Sequence, residues 1–530
     1  MYSDYDYNMD CLELVQSNEG QPPAKNYIDN LPNEILLEIF AFGALGSCDT
    51  AFPFRVSTTC RLWRSLAISE ARLWTSLTVT GTTACIPEPR HAVDALDTAE
   101  VIFPRETLIL ERSADLDVDV EILVDSHLMG IMPGETQVPS CFTNTHFLYL
   151  SCLLSSHAFH IRSFFASTRD FQSIIWLCME FRWVAMPRLK KWVLSCPDNI
   201  ASDLSFSEEY EVERVHVLEY ATEDIQPSSQ DLQRWSGALY PLLKDVECSG
   251  VPYDWNLFSA SNLQNLCLAY QPWDDRPSME TLCGILSNSM KTLESLVLAC
   301  VVDIDSGSPP PATRLALPRV QNLTLGYAVS QEVQVLLRTF EFPAINKLVI
   351  QPSEAGTGTA DVFINVMNYL PLDQLQILEI WAAYFGSAFP GPDPELVKEG
   401  SIAEEALPVA LRFIRRLTSL RVLSLHFPCS VFLKYMNYPV TRPKDGIELS
   451  PNKAVNMAGL RGLLIHSQHP HIDRGVVSFL RERLEQGTVN GKYVGPVMSA
   501  MSLFLSQASQ EDIESLGDLK LAEETRLGYF

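Results

Sequence analysis

A short phrase recurs in the larger, C-terminal part of the sequence, and it constrains the fold more than any other feature. In its full form the phrase has nine positions: an apolar residue, a proline, any residue, an apolar residue, any two residues, an apolar residue, any residue and a last apolar residue. Copies with the proline begin at residues 186, 317 and 342. Looser copies without it occur at 263–268, 293–298, 375–380, 420–425 and 460–465. From residue 263 onward, successive copies start 25 to 45 residues apart.

This spacing predicts that each copy is a short strand whose alternate residues point inward. The proline stops the preceding helix, and the residues between copies return along the outer face. Residues 279–290 and 331–340 have the helical spacing expected for that return. The pattern resembles a degenerate leucine-rich repeat, which implies a curved α/β solenoid with one continuous core. The asparagine usual in such a turn is replaced by Gln271, Val301 or Ala328, so we expect irregular turns; a plain α/β domain is the alternative.

A different pattern near the N-terminus predicts short helices. Asn30 can cap a first helix, Pro32 suits its first turn, and Gly43 and Gly46 end it. Its apolar stripe contains Ile35, Leu36, Ile39 and Phe40, and a second helix has the stripe Val56, Cys60, Trp63 and Ala67, with Leu73 and Trp74 as packing residues behind it. Because so few residues bury little surface, we expect this region to lean on a neighbour or a partner.

These N-terminal residues resemble the F-box, in the F-box-like form common in basidiomycete fungi. The resemblance rests on Leu-Pro-Asn-Glu-Ile-Leu-Leu-Glu-Ile-Phe at 31–40, Cys-Arg-Leu-Trp at 60–63 and Leu-Trp at 73–74. It covers residues 27–80 and implies docking on a Skp-type adaptor and, through it, a cullin. The adaptor-binding residues that it implies are Leu31, Pro32, Ile35, Leu36, Ile39, Phe40, Val56, Cys60 and Trp63.

The predicted fold class is α/β, with a short all-α F-box before an irregular leucine-rich-repeat-like solenoid. The predicted divisions are an acidic flexible tail (1–26), the F-box (27–80), a connecting segment with short strands (81–139), the solenoid (140–490) and a C-terminal cap or tail (491–530). In the connecting segment, residues 107–110 and 118–123 have strand character. Residues 476–486 have helical spacing, while 516–521 fit either a final strand or part of a terminal helix.

Charge and cysteine content limit the partners and the location. With 39 Lys and Arg against 65 Asp and Glu, the formal net charge is −26, so a nucleic-acid backbone or an anionic membrane surface would be repelled. The 13 cysteines include no Cys-x-x-Cys pair and mostly lie in apolar runs, which favours reduced thiols. The first twenty residues lack the basic start and apolar stretch of a signal peptide. We therefore expect a cytoplasmic or nuclear protein.

Catalytic and metal-binding patterns are weak. His466, His469 and His471 lie within six residues, but a polar loop is a simpler interpretation than a zinc site. The glycine-rich stretches at 356–359 and 487–492 do not match a phosphate-binding loop. Acidic clusters at 117–119 and 303–305 are explained by solvated faces. We predict no catalytic residue, no metal site and no cofactor.

The principal hypothesis is the substrate-recognition subunit of an SCF-type ubiquitin ligase, with the solenoid holding a target protein. The alternative is a leucine-rich-repeat scaffold that binds proteins outside any ubiquitin ligase. An independent hydrolase or transferase would need a pocket of polar residues with perturbed ionisation.

Overall fold

The computed structural model describes most of the chain between residues 28 and 527. The described residues are 28, 31–47, 49–81, 95–124, 144–168, 173–174, 176–177, 181, 184–196, 239–251, 253, 255, 258, 260–272, 276–302, 314–353, 359–381, 409–426, 460–467, 488–489, 492–493, 500–505 and 526–527. The predicted tail at 1–26, the predicted helix at 476–486 and the strand or helix predicted at 516–521 lie outside them.

Three short helices pack against one another at the N-terminal end. They are α1 (Asn33–Ser47), α2 (Phe52–Thr59) and α3 (Arg61–Ser69), and the 3-10 turn Ala71–Trp74 follows them. Their shared core contains Leu36, Phe40, Ala41, Ala44, Val56, Ala67, Leu73 and Trp74. Leu73 and Trp74 are therefore packing residues, as the sequence predicted.

Two details of these helices differ from the prediction. α1 continues past Gly43 to Ser47. Gly43 serves packing instead, since a Cβ there would lie 2.4 Å from Cζ of Phe52. The second stripe is divided between α2 and α3, because the backbone of Cys60 is extended, with φ −155°. The Sγ atom of Cys60 accepts a hydrogen bond from the Trp63 N–H at 3.4 Å and so caps α3.

Among the described residues, a 14-stranded sheet lies beyond these helices; its strands pair in chain order, and every pairing is parallel. Its strands are β1 (Ser76–Thr80), β2 (Val118–Leu123), β3 (Ile161–Ser167), β4 (Lys191–Ser195), β5 (Asp245–Ser249), β6 (Asn265–Ala269), β7 (Ser295–Ala299), β9 (Asn322–Tyr327), β11 (Lys347–Pro352), β12 (Ile377–Trp381), β13 (Val422–His426), β14 (Gly462–Ser467), β17 (Ala500–Leu505) and β18 (Arg526–Leu527). Two small two-stranded sheets pair β8 (Leu315–Ala316) with β10 (Phe340–Glu341), and β15 (Thr488–Val489) with β16 (Lys492–Tyr493).

The register of the sheet aligns its inward residues in rows. Leu348 of β11 lies opposite Leu323 of β9 on one side and Leu378 of β12 on the other, and all three are buried. Parallel strands cannot be joined by tight turns, so the chain must cross over between them. Each of the eight copies of the repeated phrase contains strand residues, on β4, β6, β7, β9 and β11 to β14.

Helices in these crossovers cover the inward face. They are α7 (Met279–Ser289), α8 (Ser330–Thr339), α9 (Thr359–Tyr369) and α10 (Val409–Arg416), with α8 packed on α9 and α9 on α10. The helices predicted at 279–290 and 331–340 are confirmed. Two of the three proline-bearing copies, however, follow the short strands β8 and β10 directly, so there the proline does not end a helix.

The connecting segment contains one wrong prediction. Residues 107–110 are helical, within α5 (Pro104–Arg112), which lies between α4 (Ala95–Ile102) and β2; α6 (Asn144–Ser156) precedes β3. Pro104 at the helix start and Arg112 in the last turn favour the helix. A run of four apolar and β-branched residues does not distinguish a strand from a buried helix. The strand predicted at 118–123 is confirmed as β2.

Three neighbouring strands are followed by residues that share one backbone conformation. Gly250, Tyr270 and Cys300 follow β5, β6 and β7 with φ of 66°, 52° and 52°, in the left-handed region. Each N–H still donates to the next strand, as Tyr270 does to the Ala299 carbonyl at 2.7 Å. Buried Gln271 donates from Nε2 to the Cys248 carbonyl at 2.9 Å. The turns before Gln271 and Val301 therefore share one backbone conformation, although we expected irregular turns there; the described turn at Ala328, after β9, has no residue with a positive φ.

A buried ion pair ties the crossover between β6 and β7 to the crossover between β9 and β11. Arg276 and Glu332 have side chains that are 0% and 1% exposed, with Nη1 and Oε1 3.1 Å apart. Arg276 also donates to the Val302 carbonyl at 3.0 Å, and Glu332 accepts from the Ala328 N–H at 3.1 Å. Burial raises the pKa of Glu332, while the guanidinium beside it acts in the opposite direction.

The structure thus has a short helical N-terminal region and then a mostly parallel sheet with helices, which is the α/β class. Within the described ranges, no helix has the length and apolar character needed to cross a membrane.

Candidate functional site

Exposed apolar side chains concentrate on the N-terminal helices. Of the eleven large apolar side chains that are exposed among the described residues, six lie between residues 28 and 68. They are Ile28, Ile35, Ile39, Phe42, Leu62 and Ile68. Isolated exposed apolar residues are ordinary, but a group of them marks a surface on which another molecule docks.

Helix α1 has two apolar faces because its apolar residues fall on two adjacent stripes. Ile35, Ile39 and Phe42 are 47%, 50% and 82% exposed, and their spacing places them within about 60° of the helix circumference. We call these three residues the α1 ridge. The neighbouring stripe of Leu36 and Phe40 is only 2% exposed and points into the core. The helix is therefore held by one stripe and presents the other.

Aromatic packing holds α1 in this orientation. The rings of Phe40 and Trp63 meet edge to face with centroids 4.9 Å apart, and those of Phe54 and Trp74 do so at 5.1 Å. Trp74 also donates from Nε1 to the Ala67 carbonyl at 2.8 Å, which fixes the turn after α3. The α1 ridge is thus supported from behind by a packed core.

Charged residues lie at the edge of the α1 ridge. Arg72 donates to Glu70 Oε1 at 2.7 Å and to Glu38 Oε1 at 3.0 Å, so it links α1 to the turn after α3. The hydrogen bonds from Arg72 lower the pKa of Glu70, although its partial burial acts in the opposite direction. Charged groups thus border an apolar centre, which is the usual anatomy of a protein interface.

The nine residues of the sequence prediction divide into three groups. Leu36, Phe40 and Val56 are buried, and Leu31 and Trp63 are partly exposed and packed against the core. The exposed members are Pro32, Ile35, Ile39 and Cys60. The prediction did not include Phe42, the most exposed of the six apolar residues, although it lies three residues after Ile39 and that spacing could have identified it.

The other sites weighed from the sequence carry no catalytic arrangement in the described part of the chain. His466 stacks on His426 with centroids 4.4 Å apart, and no group of metal-ligating side chains is found among the described residues. His469, His471, the cluster 303–305 and residues 356–358, 487 and 490–491 lie outside them. Asp117 pairs with Arg188, and Asp119 pairs with Arg162. Both carboxylates thus have structural partners.

Two thiols are also poor nucleophiles. Burial raises the pKa of Cys267 to about 12, and the carboxylate of Glu247 adds to the shift. Burial, with a contribution from Glu332, raises the pKa of Cys300 to about 12 as well. Both thiols stay protonated at neutral pH, so neither supplies the thiolate that covalent catalysis requires.

The comparison with known families agrees with the location of the apolar surface. No curated protein matches the chain. Residues 28–80 match the family model of the F-box-like domain, and this match supports an F-box protein.

Proposed function

We propose that the protein is the substrate-recognition subunit of an SCF-type ubiquitin ligase, in which the N-terminal helices dock on a Skp-type adaptor. The observation that carries the proposal is the α1 ridge, which is exposed within the F-box-like region. F-box domains typically bind adaptors of this type. An apolar helix face of this kind is suited to packing against the helices of a partner.

The exposed residues are the ones we assign to the adaptor contact. Ile35, Ile39 and Phe42 would supply its apolar centre, with Pro32 and Cys60 beside it. Leu36, Phe40 and Val56 would act indirectly, because they hold α1 in place and are not accessible. Leu31 and Trp63 would share both roles, since each is packed on the core and partly exposed.

The parallel sheet and its helices would hold the target protein. Strands that join in chain order, with helices in the crossovers, support the leucine-rich-repeat-type solenoid proposed for residues 140–490. In this arrangement the chain brings a lysine of the target near the ubiquitin-charged enzyme, which reaches the complex through a cullin. The chain would supply proximity and no bond chemistry of its own, and a cytoplasmic or nuclear location follows from that role.

A direct test is co-purification with a Skp-type adaptor. Wild-type chain and adaptor, co-expressed, are expected to elute together on size exclusion, and Ile39→Asp is expected to abolish this. Val329→Asp is the matched control, since Val329 is a similarly exposed apolar residue outside the F-box-like region. Circular dichroism should show both variants folded.

The outcome also decides between the receptor and a scaffold outside any ligase. If wild-type chain and adaptor never co-elute, the ligase role fails and the protein-binding scaffold remains. If Val329→Asp disrupts the complex as strongly as Ile39→Asp, the assignment of the α1 ridge fails.

A further inference from the structure

Three rings stack on the outward face of the sheet, where β12, β13 and β14 end. Trp381, His426 and His466 occupy the same register position on these strands. The centroids of Trp381 and His426 are 3.9 Å apart with planes 7° apart, and those of His426 and His466 are 4.4 Å apart with planes 9° apart. Parallel strands repeat at about 4.8 Å, so in-register planar rings form a continuous stack.

A carboxylate fixes the first ring of this stack. Glu379 lies two residues before Trp381 and accepts a hydrogen bond from its Nε1 at 2.7 Å. The same oxygen lies 3.4 Å from Nε2 of His426, and Lys347 Nζ lies 3.6 Å from the other oxygen. Hydrogen bonding to His426 is the largest cause that lowers the pKa of Glu379 to about 2, with Trp381 and Lys347 contributing and partial burial opposing. Glu379 is therefore ionised at neutral pH.

The stack ends at Trp381 on the side of β11. The neighbouring position on β11 is Gln351, which directly follows the paired residue Ile350. Gln351 donates from Nε2 to the hydroxyl of Tyr270 at 3.0 Å, and Tyr270 follows β6, on the side away from Trp381. No ring of a described residue contacts the β11-facing side of Trp381, which is partly exposed. The Gln351 amide is thus drawn away from the place where the next ring of the stack would lie.

The outward face has more acidic than basic side chains on the described strands, although beside Trp381 the charge of Glu379 is balanced by Lys347 and the other carboxylates lie five or more strands away, on β2 and β5. Its charged side chains on the described strands are Asp119, Glu121, Asp245, Glu247 and Glu379 against Arg162, Lys191 and Lys347. The whole chain carries a formal net charge of −26. A partner that docks on this face is therefore expected to be basic.

We propose that the place beside Trp381 receives an arginine side chain of a partner protein, which continues the stack of rings. A guanidinium is planar, is weakly hydrated and stacks on aromatic faces, whereas the lysine ammonium is a compact, strongly hydrated charge. The carboxylate of Glu379 orients the indole and adds a negative charge beside the guanidinium. This inference rests on the proposed role of the sheet in holding a target and names the chemistry of that target.

The test uses the full chain and two synthetic nonapeptides built on glycine and serine. One peptide contains three arginines, and the other has three citrullines in their place. Citrulline keeps the planar group but loses the charge. Binding is measured by calorimetry. The arginine peptide is expected to bind wild type at least tenfold more tightly than the citrulline peptide does, and Trp381→Leu and Glu379→Gln should each weaken arginine-peptide binding at least fivefold.

Glu247→Gln is the matched control, because Glu247 is an exposed carboxylate of the same face at the middle of β5, away from the stack. It is expected to change affinity less than twofold. Equal binding of both peptides, an unchanged affinity in folded Trp381→Leu, or an equal loss in Glu247→Gln would overturn the inference. Adaptor co-elution is measured separately. If the peptides do not bind as expected but the chain still co-elutes with the adaptor, only this site is refuted. If the arginine peptide binds as expected but the chain does not co-elute with the adaptor, only the ligase role is refuted.

Discussion

Replacing Phe42 with alanine separates binding from folding more cleanly than any other change in the α1 ridge. Phe42 is 82% exposed, so its truncation removes little packing from the chain itself. Burying a phenylalanine side chain completely stabilises a complex by about 1.5–3 kcal/mol. Because most of that burial remains available here, we expect Phe42→Ala to weaken adaptor binding by about 2 kcal/mol, or roughly thirtyfold in Kd.

The assay is calorimetric titration of the adaptor into wild-type and variant chains, with unfolding by denaturant in parallel. Phe42→Ala should leave the free energy of unfolding within about 0.5 kcal/mol of wild type, as for other surface changes. Leu36→Ala, one helical stripe away, should instead lower it by about 2–5 kcal/mol, because Leu36 is 2% exposed. An adaptor Kd within twofold of wild type in Phe42→Ala would refute the reasoning, and so would a large loss of stability in that variant.

Three further predictions concern stability. Gly43→Ala should lower the free energy of unfolding by about 1–3 kcal/mol, because the added methyl would lie 2.4 Å from the Phe52 ring. Adding Phe52→Leu to the same chain should recover part of the loss, which calorimetric melting would measure. Arg276→Met and Glu332→Leu each remove one partner of the buried ion pair, and each should lower the free energy of unfolding by about 3–5 kcal/mol. The double variant should lose less than the sum of the two single losses, and additive losses in denaturant titrations would contradict the coupling. The folded-state pKa of Glu379 is about 2, below its value of 4.5 in the unfolded chain, so its contribution to stability is fully present above pH 4.5 and is lost as the pH falls from 4.5 to 2. Allowing for solvent at a side chain that is 22% exposed, this contribution should amount to about 1–2 kcal/mol. Glu379→Gln should remove this part of the pH dependence, which is measured as the change in the free energy of unfolding between pH 6 and pH 3.

Much of the sheet could be predicted from the sequence, because inward-facing residues of parallel strands repeat at fixed offsets. The copies at 263–268 and 293–298 became β6 and β7, and the helical spacing between them became α7. The last strands were not anticipated in the same way. For β17, residues 500–505 lack the repeated phrase, and their pairing with β14 depends on the fold of the whole chain.

The errors have local physical causes. The run at 107–110 is short and rich in β-branched and apolar residues, which suits a strand, but Pro104 and the packing of α5 on β1 favoured a helix. The second stripe is divided between two helices because Cys60, whose backbone is extended, ends α2 and caps α3 with its side chain. Neither effect can be derived from apolar spacing, which reports where a residue faces and not how the backbone is capped.

The candidate site could be predicted in position but not in detail. The motif at 31–40 indicated which helix carries the site, yet spacing did not show which of two adjacent stripes faces the core. Leu36 and Ile35 are neighbours of similar apolar character, and only tertiary packing buries the first and exposes the second. The ring stack of Trp381, His426 and His466 was also out of reach, since it depends on the register of three strands that are distant in sequence.

Chain-order pairing makes the length of the sheet a simple function of how many strands it contains. Eleven strand-to-strand steps separate β1, which follows the N-terminal helices, from β14, a path of roughly 53 Å along the sheet. Each strand pairs only with its two neighbours, so gaining or losing one strand with its helix would move all later strands by about 5 Å and leave their own pairings intact. Insertion or deletion of such a unit would therefore alter the distance between the N-terminal helices and the distal strands in discrete increments, without redesign of either end.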